Sequence, residues 1–290
     1  MNKIIVILGP TAVGKTKMSI ELAKKINGEI INADSTQVYK HLNIATAKIK
    51  EEEKENIPHY LFDFLELNTE YTVFDYQKDV RNLIKDIISR GKTPILCGGT
   101  GLYIKAALYN YEFKEEGIRG NYDNLTNQEL YNKIIEVDKN TKIHINNRQR
   151  LLRAYDSIMK NGTLPNDVSN ELLYDVEFIG LTTDREILYN RINKRVDIMV
   201  DDGLIDEAKW VYESNIRSKA IMTPIGYKEL FPYFKKEKNL QECLDDIKQS
   251  SRRYAKRQYT WFNNQIDTKW FNVDFKNFNK TVEEVYENIK

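Results

Sequence analysis

The octapeptide Gly9-Pro-Thr-Ala-Val-Gly14-Lys15-Thr16 restricts what this chain can fold into more than any other stretch. Its two glycines, lysine and threonine stand at the offsets of a phosphate-binding loop, which works only where a strand turns into a helix. Both neighbours are present. Ile4 to Leu8 is an unbroken apolar run with the length of a buried strand, and Lys15 to Asn27 reads as a helix with Gly28 as its stop. Gly9, Pro10, Thr11, Ala12, Val13 and Gly14 would turn successive backbone N–H groups into one concavity, Lys15 would add a mobile positive charge, and the Thr16 hydroxyl could ligate magnesium. Such a loop establishes a polyphosphate site without saying whose phosphates it holds.

The alternation continues down the chain. Glu29 to Ala33 reads as a second strand, and Thr72-Val-Phe-Asp75 resembles a capping box. Apolar residues at Val73, Tyr76, Val80, Leu83, Ile84, Ile87 and Ile88 then form one helical stripe ending at Gly91. Pro94 to Cys97 supplies a third strand. Strand, helix, strand, helix, strand is the pattern of a parallel sheet covered on both faces. Residues 114–173 are polar, rich in Asn, Lys and Glu, and without strand signals, consistent with a small helical insertion. Val176 to Leu181 then reads as another strand, Thr183-Asp-Arg-Glu186 as the opening of a helix that Gly203 ends, and Leu240 to Phe262 as a last long helix. The tail from Asp267 to Lys290 gives no clear pattern. The expected fold is α/β, a P-loop NTPase-like parallel sheet flanked by helices. Residues 1–113 and 174–290 form its two parts, and the helical insertion domain at 114–173 lies between them.

Charge and cysteine content narrow the function classes. With 44 basic and 43 acidic residues the net charge is only +1, which excludes a generally basic nucleic-acid coat but not a local basic patch. The run Ile4 to Leu8 is shorter than the roughly 7 to 15 apolar residues of a signal peptide or the about 20 of a membrane span. A cytoplasmic protein is expected, without membrane association and as a monomer. Cys97 and Cys243 each stand without a second cysteine nearby, which gives a structural zinc site or a disulfide framework no support, and His41, His59 and His144 lack metal-ligand spacing.

Two further strand ends carry polar text. Asp34-Ser35-Thr36-Gln37 follows the second strand, which puts a carboxylate on the same sheet edge as the phosphate loop, able to reach magnesium through water or to take a proton from a nucleophile. Gly98-Gly-Thr100-Gly-Leu-Tyr103 follows the third strand and delivers flexible backbone and one hydroxyl to that edge. In the last helix Lys248, Arg252, Arg253, Lys256 and Arg257 are interleaved with Tyr254, Tyr259, Trp261 and Phe262, with no acid between Ile247 and Phe262. A folded RNA fits that pattern, as does a solvated basic face whose aromatics pack inward. Arg148, Arg150 and Arg153 make a second basic cluster inside the insertion.

Taken in order, several blocks make the chain similar to the tRNA dimethylallyltransferases, also called tRNA isopentenyltransferases or IPP transferases. They are Gly9 to Thr16, Asp34-Ser-Thr-Gln-Val-Tyr39, Ala45-Thr-Ala-Lys48, Gly98 to Tyr103, Arg150-Leu-Leu-Arg153, Arg191-Ile-Asn-Lys-Arg195, Ile225-Gly-Tyr-Lys228 and Tyr254-Ala-Lys-Arg-Gln258. The resemblance implies transfer of a dimethylallyl group from dimethylallyl diphosphate to the N6 amine of the adenine immediately 3′ of the anticodon, with release of pyrophosphate. It implies that Gly9 to Thr16 grips the diphosphate, that Lys15, Arg195 and a magnesium ion (Mg2+) on Thr16 stabilise the leaving group, and that Asp34 takes the amine proton while Thr100 bonds near the reacting centre. It also places Asp34, Ser35, Thr36, Gln37, Thr100, Gln149, Arg150, Arg153, Lys256 and Arg257 against tRNA, and makes the insertion a grip on the anticodon stem-loop. Asn147 stands where the family usually has Asp, and Tyr155-Asp156 where Leu-Glu is common.

Other readings of the residues remain open at this level. A nucleoside or small-molecule kinase would use the same loop for ATP and Asp34 as base for an acceptor hydroxyl. A prenyltransferase acting on free AMP or ADP would leave the insertion and the basic helix without work, and a non-enzymatic RNA-binding module would leave three strand-end motifs unexplained.

Overall fold

Residues 3–111, 120–164 and 170–290 are described by the computed structural model. They divide into two compact units, one made of Met1–Tyr109 and Leu172–Lys290, the other of Asn110–Glu171. The boundary expected between residues 113 and 114 lies outside the described residues.

The first unit is built on strands β1 (Ile4–Leu8), β2 (Gly28–Asn32), β3 (His59–Tyr60), β4 (Thr93–Cys97), β5 (Val176–Thr182) and β6 (Lys269–Asn272). They form one sheet in the order β3-β2-β4-β1-β5-β6, and every pairing is parallel. Alternate residues of each strand feed opposite cores, as the two-residue pleat requires. Ile4, Val6 and Leu8 face α2 (Val73–Ser89), α3 (Gly101–Leu108) and the end of α10 (Leu240–Gln265). Ile5 and Ile7 face α1 (Lys15–Ile26), α6 (Arg185–Asp201) and α11 (Phe278–Ile289). A third apolar cluster joins Val38, Tyr39 and Leu42, in the chain after β2, to α7 (Leu204–Glu213), the segment around Tyr227, and the first turns of α10. Short helices α8 (Lys219–Met222) and α9 (Phe231–Phe234) complete that side.

Several expectations shift in detail. The Thr72 capping box forms, with Thr72 accepting from the Asp75 N–H and Asp75 reaching back to Thr72. Helix α1 stops at Ile26 because Asn27 takes the left-handed conformation, φ 52°, whereas Gly28 already belongs to β2. A Cβ at Gly28 would stand 2.6 Å from Ile95 Cδ1, so the glycine serves strand packing and not the helix stop. Asp184, not Thr183, precedes α6, and it makes no side-chain cap bond. The unreadable tail supplies β6 and α11. Phe271, Val282 and Val285 bury themselves in the core beside α1, a role visible only once the tertiary partner exists.

The second unit carries α4 (Asn127–Val137) and α5 (Arg148–Asn161), packed through Leu130, Ile134, Leu151 and Ala154. Asn147 caps α5 by accepting from the Arg150 N–H at 3.3 Å, a bond that an Asn or an Asp side chain can equally make. Asp156 is buried and accepts from the Gly120 N–H at 2.9 Å and Lys160 Nζ at 2.6 Å. Among the described residues no helix is long and apolar enough to cross a membrane.

Candidate functional site

Because β2, β4 and β1 are adjacent and parallel, the three polar strand ends meet on one edge. Backbone bonds continue the ladder past the strands: Gly98 N–H donates to Ile7 O, Ala33 N–H to Cys97 O and Thr100 N–H to Ala33 O. A cavity of about 750 Å³ opens there, with Thr11, Lys15, Thr16, Asp34, Gln37 and Arg195 in its walls. Motifs separated by more than a hundred residues thus share one space.

The first wall is the loop after β1. Gly9 has φ 138°, and a Cβ there would lie 2.6 Å from Leu181 O, so no other residue fits this turn. Val13 is buried in the core beneath the loop. Lys15 Nζ donates to the carbonyls of Gly9 at 3.1 Å and Pro10 at 2.8 Å. Burial pushes its ammonium down to about 8; Cys97 and Asp34 oppose that shift and Arg195 adds to it. From α6, Arg195 Nη1 reaches Thr11 Oγ1 at 3.4 Å and Arg191 Nε donates to Ala12 O at 3.0 Å, while the Arg191 guanidinium stacks 3.7 Å from the Phe275 ring centre. Burial lowers the pKa of both arginines, which for Arg marks desolvation and not loss of charge.

A second wall is the loop after β2. Asn32, fully buried, accepts from the Asp34 N–H at 2.8 Å and donates to Asp34 O at 3.0 Å and Leu61 O at 2.9 Å. Asp34 Oδ1 accepts from Thr36 N–H at 2.9 Å and Thr36 Oγ1 at 2.7 Å, leaving Oδ2 without a hydrogen bond among the described residues. The Ser35 N–H donates to Thr100 Oγ1 at 3.1 Å, which locks the second and third strand-end motifs together. Gln37 Nε2 donates to Thr46 O at 2.9 Å and Ala47 O at 3.3 Å.

Gln258 of α10, which closes the Tyr254 to Gln258 block and which the resemblance puts only in a stretch facing tRNA, ties the cradle together. Only 5% exposed, it accepts from the Thr11 N–H at 2.9 Å and donates to Gly99 O at 3.1 Å, tying the β1 loop to the β4 loop. A Cβ at Gly99 would stand 2.1 Å from its Nε2. Tyr254, one turn earlier, also lines the cavity, and burial followed by the Asp34 charge pushes its phenol up. The i,i+4 spacing of Tyr254 and Gln258 was available as a signal, but a neutral amide directly after Arg257 carries nothing to show which backbone groups it binds.

The basic helix divides into two groups. Lys248 pairs with Asp197 at 2.6 Å and Arg252 Nη1 donates to Asn193 Oδ1 at 2.6 Å, so these two cations fasten α10 to α6. Arg253, Lys256 and Arg257 are exposed. The aromatics pack inward: Phe262 is fully buried, Trp261 lies over Gly101 and the Tyr259 hydroxyl meets Thr182 Oγ1 at 2.8 Å. Gln149, Arg150 and Arg153 are exposed on α5, whereas Arg148 bonds within its own unit to Leu125 O and Asn127.

His59 lines the cavity too, with Nδ1 against Ile57 O at 2.7 Å and Nε2 without a partner among the described residues. Cys97 is a wall residue as well, and Cys243 is buried; both thiols are free. No cluster of three His, Cys, Asp or Glu side chains able to hold a metal exists among the described residues.

Comparison with known proteins agrees with this geometry. A sequence model described as IPP transferase matches residues 37–265. The tRNA dimethylallyltransferase of Anoxybacillus flavithermus is 47% identical over 300 residues, covering all of this chain and 96% of that protein. Among solved structures, the tRNA isopentenylpyrophosphate transferase of Bacillus halodurans aligns over the whole chain and 96% of its own at 41% identity and TM-score 0.77. A eukaryotic dimethylallyltransferase solved acting on tRNA aligns with 99% of this chain and 78% of its own at 31% identity and TM-score 0.85. The chain belongs to the IPP transferase family, the tRNA dimethylallyltransferases.

Proposed function

We propose that the chain transfers a dimethylallyl group from dimethylallyl diphosphate to the N6 amine of the adenine immediately 3′ of the anticodon in tRNA, releasing pyrophosphate. The observation that carries this reading is one cavity with cations on the β1 wall and a carboxylate on the β2 wall. As the allylic C–O bond breaks, the electron pair leaves with the diphosphate. Lys15, Arg195 and the N–H groups at the start of α1 oppose that developing charge. The adenine nitrogen forms the new C–N bond, and its proton passes to Asp34, whose Oδ2 is open to accept it. An adenine amine is a poor acid, so proton loss accompanies bond formation. Thr100 holds the Ser35 backbone beside Asp34.

The Thr16 hydroxyl, exposed on the cavity wall, fits a magnesium ion held mainly by phosphates and water, and such an ion would neutralise diphosphate charge. Arg253, Lys256 and Arg257 on α10, with Gln149, Arg150 and Arg153 on the helical unit, supply the RNA contacts. The target adenine leaves its stack to enter beside Asp34 and Gln37, at a cost of a few kcal/mol. With this substrate the enzyme works in the cytoplasm, as a monomer. Kinase chemistry has no support among the relatives.

Incubating unmodified tRNA with the protein, dimethylallyl diphosphate and magnesium, then digesting to nucleosides, tests the reading. N6-dimethylallyladenosine is expected, formed from stem-loop RNA and not from AMP. Modified AMP with untouched tRNA would overturn it.

A further inference from the structure

Two of the sequence blocks, Ala45 to Lys48 and Ile225 to Lys228, touch no step of the reaction, yet the fold brings them together on one half-buried carboxylate. Glu207 of α7 accepts from the N–H groups of Asn43 at 2.9 Å, Ile44 at 2.9 and 3.0 Å, and Ala45 at 3.1 Å. Three consecutive backbone N–H groups converging on one anion form a nest, a geometry that usually receives a ligand and here is filled by the protein itself. The Tyr227 hydroxyl, on a side chain with no exposed surface, donates to Glu207 Oε1 at 2.7 Å. A Cβ at Gly226 would stand 2.9 Å from Ala45 Cβ, so the second block also abuts the first directly.

The braced loop has one outward consequence. Its turn is closed by Ala47 N–H to Ile44 O and Lys48 N–H to Asn43 O, both 2.9 Å, and it presents the Thr46 and Ala47 carbonyls to Gln37. With Nε2 donating to two carbonyls, the Gln37 amide cannot flip, because flipping would set Oε1 against carbonyl oxygens. Among the side-chain atoms of Gln37, Oε1 is then the one left to face a ligand. Together with Asp34 Oδ2 it gives the base two side-chain oxygen acceptors on this wall.

We propose that Glu207 and Tyr227 are positioning residues for base selection: by bracing residues 43–48 they hold Gln37 as an obligate acceptor, matched to the donor amine of adenine and opposed to a base bearing a carbonyl there. This rests on the reading that the target adenine enters beside Asp34 and Gln37. A site built to pair with N–H groups rejects a ligand lacking them, because its own acceptors are left unpaired.

The test measures binding of anticodon stem-loop RNAs carrying adenine or hypoxanthine at the target position, to the full chain and to Tyr227→Phe, Glu207→Gln, Gln37→Ala and Gln37→Ala/Glu207→Gln. The unaltered chain should prefer adenine by at least about tenfold. Glu207→Gln should remove most of that preference and Tyr227→Phe about a third to a half of its logarithm, while adding Glu207→Gln to Gln37→Ala should change the ratio no further. An undiminished preference in Tyr227→Phe, or an additive loss in the double variant, overturns the proposal. Tyr227→Phe keeps the carboxylate and its three backbone donors, so it decides the matter if Glu207→Gln does not fold. Failure of the unaltered chain to bind or prenylate the adenine RNA would instead strike the function proposed above.

Discussion

The two walls of the cavity offer a ligand opposite things. Around the β1 loop, Lys15 on the Gly9 and Pro10 carbonyls and Arg195 on the Thr11 hydroxyl place positive charge at the cavity. Around the β2 loop, Asp34 Oδ2 and Gln37 Oε1 present oxygen acceptors. A site moving a phosphoryl group needs positive charge wherever the phosphate travels, whereas alkyl transfer separates the task. An anion departs on one side, and a neutral amine sheds a proton on the other. The walls also differ in how they are held. The β1 loop is tied to the β4 loop by Gln258, and the β2 side is braced by Glu207, so each draws its precision from a helix remote in sequence.

That division of labour can be broken in order of expected effect. Asp34→Ala should lower turnover by at least ~10², far more than it lowers tRNA affinity, read by single-turnover kinetics beside filter binding; near-normal turnover would remove the acceptor wall from the chemistry. Lys15→Ala should weaken pyrophosphate binding roughly thirtyfold, since a charge-assisted bond contributes about 2 kcal/mol. In the unaltered chain, pyrophosphate affinity should fall as pH rises through about 8, because the ligand requires the charged ammonium and binding above that pH must take up a proton. Calorimetry from pH 7 to 9.5 should show this slope vanish in Lys15→Ala, and a slope that persists would assign it elsewhere.

Smaller effects sharpen the comparison. Gln258→Ala strands the Thr11 N–H and the Gly99 carbonyl, so stability should drop by about 1–3 kcal/mol, and turnover about tenfold through misplacement of the cradle; thermal melting and kinetics read the two separately. Unaltered turnover in a destabilised variant would make Gln258 a packing residue only. With Lys248 and Arg252 engaged on α6, α10 has three exposed cations, and at ~0.7 per contact they contribute about −2 to the salt slope of tRNA binding, not the −3.5 that five would give. Lys256→Ala with Arg257→Ala should flatten the slope by about 1.4. An unchanged slope would return that face to ordinary solvation.

How far the sequence could be read followed from the range of the forces involved. The loop Gly9 to Thr16, the Thr72 box and the strands feeding both cores are local patterns, legible because pleat and helix periods act within a few residues. Residues Asp34 and Thr100 were legible as neighbours because parallel strands deliver their carboxyl ends to one edge. Gln258 and Glu207 were not, since each acts on backbone groups more than 150 residues away and neither belongs to a recognisable charge pattern. The β6 strand and α11 were hidden for a related reason: their aromatic residues acquire meaning only against α1 and β5. In α10 the count of charges was right, but two of them turned out to fasten the helix.

A crystal structure of the protein with magnesium, an unreactive thio-analogue of dimethylallyl diphosphate and an anticodon stem-loop tests the division between the walls most directly. The diphosphate should lie in the loop Gly9 to Thr16, with an extruded adenine bonded to Asp34 and its N6 about 3–3.5 Å from the allylic carbon. A nucleoside triphosphate displacing the analogue from that loop, or an adenine amine turned away from Asp34, would contradict the account.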